Sequence, residues 1–212
     1  MSYAISVPII RVCEDENLLK QHLEELRRLD AVRVMLSIEQ YYISEEAKQR
    51  ELDAVRSNCA FFKAHGLEVG AWIWAFALSE KNTYVHIKGI GGKVSEDEIC
   101  PSDKNFRAFA CAYIADVAAC GVDLILFDDD FRYGTLPSGL GCVCENHLAY
   151  MEQLLGKPID RAELPSLLVS GEKNIYRDAW QASKKYYLEL FAAEVRAAVD
   201  RVNPAVRIGF CA

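Results

Sequence analysis

Short apolar runs alternate along the chain with longer segments in which apolar residues recur at helical spacing. The apolar runs, rich in β-branched residues, predict five strands at 3–12, 32–40, 67–78, 122–130 and 203–212. Helical segments follow the first three strands at 14–31, 44–66 and 104–121, and the last two of these end at a glycine, as helices commonly do. Two further helical stretches precede the last predicted strand. Strands and helices therefore alternate along the chain.

Single helices between nearly all-apolar strands are typical of a parallel sheet that is covered by helices. A doubly wound sheet and an eight-stranded barrel both fit this order. No glycine-rich phosphate turn follows the first strand, where residues 11–17 are RVCEDEN, and this disfavours a dinucleotide-binding sheet. Polar, aromatic and acidic residues collect after the carboxyl ends of the strands, as in barrel enzymes. The sequence predicts an α/β fold, a (β/α) barrel of TIM type.

Five βα units are too few to close such a barrel, which takes about 250 residues. We therefore expect residues 1–212 to be the N-terminal part of a single barrel catalytic domain, with the C-terminal strands absent from this chain. The remaining part of the barrel is then an expected partner. The first and fifth strands would be exposed edges that pair readily with other chains, so a homo-oligomer is a further expectation.

Composition and charge narrow the classes of partner. The 212 residues are 51% hydrophobic, yet no apolar run is long enough to span a membrane. The first ten residues lack the basic start and the small-residue cleavage site of a signal peptide. We expect a soluble, cytoplasmic protein with no membrane partner. The net charge of −7 offers no basic face to nucleic acid.

The fourth predicted strand leads directly into three aspartates, Asp128, Asp129 and Asp130. Barrel enzymes hold catalytic groups at this position. Crowded carboxylates raise one another's pKa, so one of the three is expected to keep its proton and serve as a general acid, as glycosidic bond cleavage requires. Arg132 is a candidate to pair with another of them or to bind substrate. A divalent cation held by oxygen ligands and the capping of backbone amides are the alternatives.

Seven of the eight cysteines divide into two groups. Cys142, Cys144 and His147 form a C-x-C-x-x-H arrangement at the start of a helix, a ligand set suited to tetrahedral zinc. Cys100, in the loop after the third strand, is the best candidate for the fourth ligand, and four protein ligands would make the zinc structural. Two incidental thiols beside a surface histidine are the alternative. Four other cysteines lie in apolar patterns and are expected to be small buried hydrophobic residues: Cys59, Cys111, Cys120 and Cys211.

Residues 95–155 carry C-P-S, F-R, FDDDFRYG and C-V-C-E-N-H-L-A-Y-M in an order that resembles the family 42 glycoside hydrolases, the β-galactosidase group. In that family, cysteines after the third strand and at a helix start bind zinc, and an Asp-Asn-Glu tripeptide ends the fourth strand. The resemblance implies a hydrolase of β-linked sugars with Asp130 at the position of the acid/base and Asp129 beside it. It also matches the zinc ligands to Cys100, Cys142, Cys144 and His147.

Departures from the family pattern affect this expectation. Asp130 stands where the family has glutamate, Asp129 where it has the asparagine that binds the sugar's 2-hydroxyl, and His147 replaces the last cysteine. The family's nucleophile lies on a seventh strand that this chain lacks, so the chain alone is expected to be inactive. An Asp-Asp pair also resembles hexosaminidases that use the substrate's acetamido group as nucleophile. A barrel that binds carbohydrate without hydrolysing it is the remaining alternative.

Six residues besides the catalytic pair are candidates for substrate contact, and Asp128 and Arg132 are two of them. Trp72 and Trp74 alternate on the third strand and face one side together, and flat apolar rings suit the faces of sugars. Glu39 ends the second strand and Arg11 the first. Core packing of the tryptophans and structural ion pairs of Glu39 and Arg11 are the alternatives.

Overall fold

The computed structural model of the protein describes residues 9–38, 44–78, 81–133 and 141–211. Its elements, in chain order, are β1 Ile9–Arg11, α1 Glu16–Arg28, β2 Arg33–Ser37, α2 Glu45–Ala64, β3 Glu68–Ile73, β4 His86–Lys88, β5 Val94–Ile99, α3 Lys104–Ala119, β6 Leu124–Phe127, α4 Glu145–Leu155, α5 Leu164–Val169, α6 Ile175–Val202 and β7 Arg207–Phe210. None of the helices in these ranges combines the length and the apolar composition that a membrane crossing needs.

Five of the strands form one parallel sheet in the order β1-β2-β3-β6-β7. Every strand pairs with the sheet strand that precedes it in the chain, so that β3 pairs with β2 on one side and with β6 on the other. A doubly wound sheet would reverse direction partway along this order. The predicted α/β fold of TIM-barrel type is therefore confirmed, with five parallel strands among the described residues.

The chain divides into two compact units, and the first comprises residues 1–75, 110–129 and 195–212. It contains the parallel sheet and the helices that cover it. Helix α1 buries Leu19, Leu23 and Leu26 and leaves Leu18 and Leu29 exposed, because the first three recur on one face of the helix. Such helical faces pack against the strands, of which β2 and β3 each bury three consecutive residues, and this packing forms the core of the unit.

The predicted helix ends in this unit follow from local chemistry. The Ser44 hydroxyl accepts a hydrogen bond from the backbone amide of Ala47 and caps α2, as its position in the sequence suggests. Gly66 and Gly121 follow α2 and α3 with φ angles of 82° and 94°, a left-handed conformation that favours glycine. Both helices therefore end at the glycines that the sequence marks.

An ionic cluster lies toward the amino-terminal end of the parallel sheet. Glu68 on β3 pairs through one carboxylate oxygen with Arg33 on β2 and through the other with Arg207 on β7. The Nε atom of Arg33 lies 2.5 Å from Glu68 Oε2. One carboxylate thus connects three strands of the sheet.

The second unit comprises residues 76–109 and 130–194. It contains an antiparallel hairpin of β4 and β5, in a stretch for which the sequence analysis predicted neither strand nor helix. The hairpin turn is closed by a hydrogen bond from the Gly89 amide to the Lys93 carbonyl, 2.9 Å long. A three-residue strand, His86–Lys88, is too short to give a recognisable alternation in the sequence.

Two buried polar side chains, one in each unit, fix neighbouring loops by hydrogen bonds to the backbone. Asp103, which is buried, accepts hydrogen bonds from the amides of Asn105 and Phe106 at the start of α3 and from the amide of Val85 before β4. In the first unit, the fully buried Asn58 accepts from the Cys13 amide at 3.1 Å and donates to the Cys13 carbonyl at 2.7 Å. Asn58 therefore fixes the loop that follows β1.

Replacing Asn58 by leucine is expected to lower the free energy of unfolding by about 2–4 kcal/mol, because both backbone groups of Cys13 lose their partner in a largely dry environment. Chemical denaturation monitored by circular dichroism measures the change. Asn105→Ala is the matched control, since Asn105 is exposed and only its backbone amide is bonded. Equal stability of Asn58→Leu and the wild-type chain would contradict the assigned role.

Candidate functional site

Several residues predicted to contact substrate share one face of the parallel sheet in the first unit. Arg11 pairs in register with Ser37, Ser37 with Trp72, and Trp72 with Leu126, so Arg11 and Trp72 point to the same side. Trp74 lies one step further along β3 and is 47% exposed. Glu39 is outside the described residues. Four predicted residues, Arg11, Trp72, Trp74 and Asp128, therefore meet at the carboxyl end of the strands.

Asp128 lies beside Trp74 at this strand end. Its backbone amide donates to the carbonyl of Ile73 at 2.8 Å, which continues the parallel ladder to the position opposite Trp74. The next residue, Asp129, is exposed, and its amide donates to Asp128 Oδ1 at 2.7 Å. A carboxylate and an exposed indole ring thus stand next to each other on neighbouring strands.

The carboxylates at this strand end also affect the pKa of the Cys211 thiol, which lies just past β7. Burial raises the pKa of the Cys211 thiol, and the carboxylates of Asp128 and Asp129 raise it further. Cys211 is only half-buried, as is Cys111, whereas Cys59 and Cys120 are buried as predicted. The negative potential of the aspartates therefore extends across the end of β6 to the end of β7.

Asp130 belongs to the second unit and has a different set of contacts. Its Oδ2 atom accepts hydrogen bonds from the backbone amides of Phe76 at 2.8 Å and Ala77 at 3.3 Å. Its carbonyl accepts from the amide of Arg132 at 2.6 Å, and the Arg132 side chain is exposed. One oxygen of Asp130 therefore accepts the backbone amides that follow β3, which is the capping of backbone amides that the sequence analysis names as an alternative.

A second candidate site in this unit consists of Cys100, Cys142, Cys144 and His147. All four side chains are buried, and their ligand atoms lie within 4.8 Å of one another. The sulfur of Cys100 is 3.7 Å from those of Cys142 and Cys144. Tetrahedral coordination with metal–sulfur bonds of about 2.3 Å places sulfurs about 3.8 Å apart. The four residues can therefore hold a metal ion with little movement.

Local structure brings these ligands together from two parts of the chain. Cys100 directly follows β5 of the hairpin, while Cys144 is the N-cap residue of α4 and His147 lies in the first turn of that helix. The amide of Val143 donates to the carbonyl of Lys88 at 2.7 Å, which joins the second segment to the hairpin. The C-x-C-x-x-H spacing thus works because a helix begins between its second cysteine and its histidine.

The hydrogen bonds around His147 determine which nitrogen of its imidazole can bind a metal ion. Its Nδ1 atom lies 3.0 Å from the hydroxyl of Ser183, and that hydroxyl donates to the carbonyl of Trp180 at 2.8 Å. Since the Ser183 hydrogen is used in this way, Nδ1 carries the imidazole proton and Nε2 carries the lone pair. Nε2 is buried and has no partner among the described residues. Burial lowers the pKa of His147 to about 4, so the ring is neutral at pH 7.

The thiols differ in their tendency to ionise. Burial raises the pKa of the Cys100 and Cys142 thiols, whereas hydrogen bonding with those two thiols lowers the pKa of the Cys144 thiol. Cys144 also receives a contact from the Ser102 hydroxyl, at 3.5 Å. A cation is needed for all three buried thiols to be ionised together.

Gly141 allows the chain to pass close to Trp180 immediately before Cys142. Its φ angle is 76°, and a Cβ atom there would lie 2.0 Å from the indole ring of Trp180. The ring is held by a hydrogen bond from its Nε1 atom to the Cys142 carbonyl, 2.8 Å long. A side chain at position 141 would therefore displace either the ring or the cysteine.

Sequence reasoning identified the four ligands and missed the residues that support them. Ser102, Ser183, Trp180 and Tyr133 contact the cluster, but they lie up to 45 positions from His147 and have no distinctive spacing. Only the Pro101–Ser102 pair beside Cys100 offered a local signal, as part of the C-P-S motif. Apart from Ser102, the supporting residues come from α6 and from the chain after β6, which pack on the cluster through tertiary structure.

The sheet and the two sets of residues define a TIM-barrel-type α/β protein with a buried cluster that could hold a metal ion. No known protein family and no curated protein matches the chain. Among solved structures, the catalytic domain of a β-amylase from Paenibacillus polymyxa matches 95% of this chain with 12% identity and a TM-score of 0.64. MutB, solved as an inactive double mutant in complex with isomaltulose, matches 99% of it with 11% identity and a TM-score of 0.46.

The chain spans 65% of the β-amylase catalytic domain and 45% of MutB. At such low identity, the likeness to the β-amylase domain shows a shared fold, and it extends over nearly the whole of this chain. The resemblance to family 42 glycoside hydrolases in particular remains a prediction. Barrel topology is thus established by the strand order and by this comparison together.

Replacing Gly141 by alanine is expected to lower the free energy of unfolding by about 3 kcal/mol, since a Cβ atom adds a clash with Trp180 to an unfavourable φ angle. The variant should also lose metal affinity because Cys142 is displaced. Thermal melting with and without added Zn²⁺ measures both effects. Gly171→Ala is the control, because a Cβ atom there meets nothing within 4 Å. Wild-type melting of Gly141→Ala would refute the proposed close approach.

Proposed function

We propose that this chain is part of a carbohydrate-active barrel enzyme, a glycoside hydrolase, whose substrate contacts the strand ends of β3 and β6. The observation that carries the proposal is the exposed indole of Trp74 beside the carboxylate of Asp128 at the carboxyl end of a parallel sheet. Indole rings pack against the apolar faces of sugars, and carboxylates bind their hydroxyl groups. Barrel enzymes place their active sites at this end of the strands.

Trp72 and Arg11 extend the same face toward β1. Trp72 is half-buried and Arg11 is exposed, and the register of the sheet puts Ser37 between them. A sugar chain that lies along this face would meet an aromatic surface near β3 and a cation near β1. Asp128, Trp74, Trp72 and Arg11 are therefore proposed as substrate-contacting residues, with Arg132 on the following loop as a further candidate.

Asp129 and Asp130 are the proposed catalytic carboxylates, with Asp130 as the general acid/base. Both follow the fourth strand of the parallel sheet, and Asp129 is exposed at its end. Asp130 uses Oδ2 to accept two backbone amides, so the reacting proton in this proposal belongs to Oδ1. The hydrogen bonds fix the direction of the carboxyl group, which is what proton transfer in a defined geometry requires.

Asp130→Asn in the full-length protein is expected to lower kcat about 100- to 10,000-fold, because it removes a proton donor while keeping an oxygen that can accept the two amides. Turnover of aryl galactosides and aryl N-acetylhexosaminides measures the loss and separates the two hydrolase types. Asp130→Ala should lose stability as well, by about 1–3 kcal/mol, since the amides of Phe76 and Ala77 lose their acceptor.

Asp97→Asn is the matched control, because Asp97 is an exposed aspartate on β5. It should leave both kcat and stability unchanged. Full activity of Asp130→Asn on every substrate of the panel would remove the catalytic assignment. Loss of sugar binding in Trp74→Ala with unchanged stability would still support the proposed carbohydrate surface, so the two parts of the proposal are tested separately.

We further propose that the metal held by Cys100, Cys142, Cys144 and His147 is zinc in a structural role. The donor set of three thiols and one imidazole is the kind that zinc prefers, and all four coordination positions come from the protein. The Lys88 amide lies 3.5 Å from the Cys142 sulfur, as expected for a donor to a thiolate. When bound, the ion supplies positive charge that neutralises the buried thiolates.

Purified chain is expected to contain about one equivalent of zinc under reducing conditions, and Cys142→Ser should abolish its retention because a hydroxyl is a poor ligand compared with a thiolate. Elemental analysis after gel filtration measures the content, and thermal melting should show a lower midpoint for the variant. Cys13→Ser is the control, since Cys13 lies outside the cluster and is half-buried. A metal-free wild-type chain of unchanged stability would overturn this assignment.

A carbohydrate-binding barrel without hydrolytic activity is the second candidate function. The observation in its favour is that Oδ2 of Asp130 is already occupied by the amides of Phe76 and Ala77, as in a structural carboxylate. Such a protein would bind sugars through the face of Trp74 and Asp128 and turn over none of the aryl glycosides. The same panel of substrates, combined with a binding measurement, separates it from the hydrolase.

A further inference from the structure

Two buried polar atoms beside the thiols have no hydrogen-bond partner among the described residues, Nε2 of His147 and the hydroxyl oxygen of Tyr133. A bound metal ion accounts for Nε2, because this atom carries the lone pair of the fourth ligand. The hydroxyl of Tyr133 is not part of the ligand set and needs another explanation. Buried hydroxyl groups that lack a partner are costly and therefore uncommon.

The surroundings of Tyr133 consist of the metal ligands. The residue is 7% exposed and belongs to a buried group with Ile87, Cys100, Cys142 and Cys144. Its ring meets that of His147 edge to face, with 5.0 Å between the centroids. Burial raises the pKa of Tyr133, and the three thiols are the next largest causes. The hydroxyl of Tyr133 thus belongs to a buried residue that packs among the ligands.

We propose that the Tyr133 hydroxyl is a hydrogen-bond donor to a cysteine sulfur of the metal-loaded cluster. Metal binding removes the thiol protons and turns the sulfurs from donors into acceptors. Three thiolates around a divalent cation leave one negative charge uncompensated in a buried place, and hydrogen-bond donors stabilise such a charge. This inference rests on the proposed metal site.

The other donors near the cluster are already assigned to particular sulfurs. The Ser102 hydroxyl lies 3.0 Å from the Cys100 sulfur and 3.5 Å from that of Cys144, and the Lys88 amide contacts the sulfur of Cys142. Among the nearby cations, Lys184 places its ammonium group 3.8 Å from the centroid of the Trp180 ring, and Arg107 donates to the carbonyl of Pro101. Tyr133, whose ring contacts the imidazole of His147, can supply one more neutral donor.

Tyr133→Phe tests this donor, with Tyr187→Phe as a matched control. Tyr187 also meets His147 edge to face, with 4.9 Å between the centroids, but its hydroxyl already donates to the Asn146 carbonyl at 3.3 Å. Both variants keep the aromatic ring and remove one hydroxyl beside the same imidazole. Zn²⁺ affinity is measured on the whole chain by competition with a chelator, and Co²⁺ substitution reports on the sulfurs through their charge-transfer bands.

Tyr133→Phe is expected to weaken Zn²⁺ binding about 10- to 100-fold and to shift the sulfur-to-Co²⁺ bands to lower energy. The melting temperature of the metal-free variant should equal or exceed that of wild type, because the orphaned hydroxyl is gone. Tyr187→Phe should leave the affinity and the bands unchanged. Wild-type affinity and spectrum in Tyr133→Phe would overturn the inference, whereas failure of the wild-type chain to bind either ion would overturn the metal site itself.

Discussion

Three thiols and one imidazole buried in one small volume are the constraint on which the second unit depends. When these four groups are uncharged, they are poor hydrogen-bond partners for one another. The Cys100 sulfur contacts two other thiols, and His147 Nε2 has no partner in the described part of the chain. Charged, they repel unless a cation lies among them. The surrounding residues prepare for the charged state, with a hydroxyl and an amide near the sulfurs and an imidazole tautomer fixed by Ser183.

The first unit follows a different logic, in which polar groups collect where parallel strands end. The strands are apolar between their ends because helices cover them. Trp74 and Asp128 therefore lie just past the last paired residues of β3 and β6, Ile73 and Phe127. At the opposite end, Glu68 joins Arg33 and Arg207 across three strands. One end of the sheet is thus held by ion pairs, while the other end presents side chains that suit carbohydrate.

Much of the fold could be predicted from the sequence because apolar runs and glycine stops mark the strands and helices directly. The strands after Leu67 and Val122 and the helix between Ser44 and Gly66 are examples. The β4–β5 hairpin was missed, because three- and six-residue strands with mixed burial leave no periodic signal. Cys100 lies in the connection between the third parallel strand and α3, as predicted, but this connection contains the hairpin, and Cys100 directly follows β5.

The candidate sites were predictable to different degrees. Cysteine and histidine at such close spacing have few roles other than metal binding, so Cys142, Cys144 and His147 could be predicted as ligands from the sequence. The structure brings Cys100 to them. The direction of the three aspartates was not predictable, since the strand ends at Phe127 and a turn follows. Alternation along a strand therefore says nothing about where the carboxylate of Asp130 points, and only tertiary contacts with Phe76 and Ala77 determine it.

Cys100 and Cys142 are 42 positions apart, and α3 and β6 lie between them in the chain. A cation shared by both residues would act as a reversible cross-link that closes a long loop and lowers the entropy of the unfolded chain. By mass action, the fraction of folded molecules would then vary with the free concentration of that cation. The abundance of the folded protein in a cell would accordingly vary with the supply of that cation.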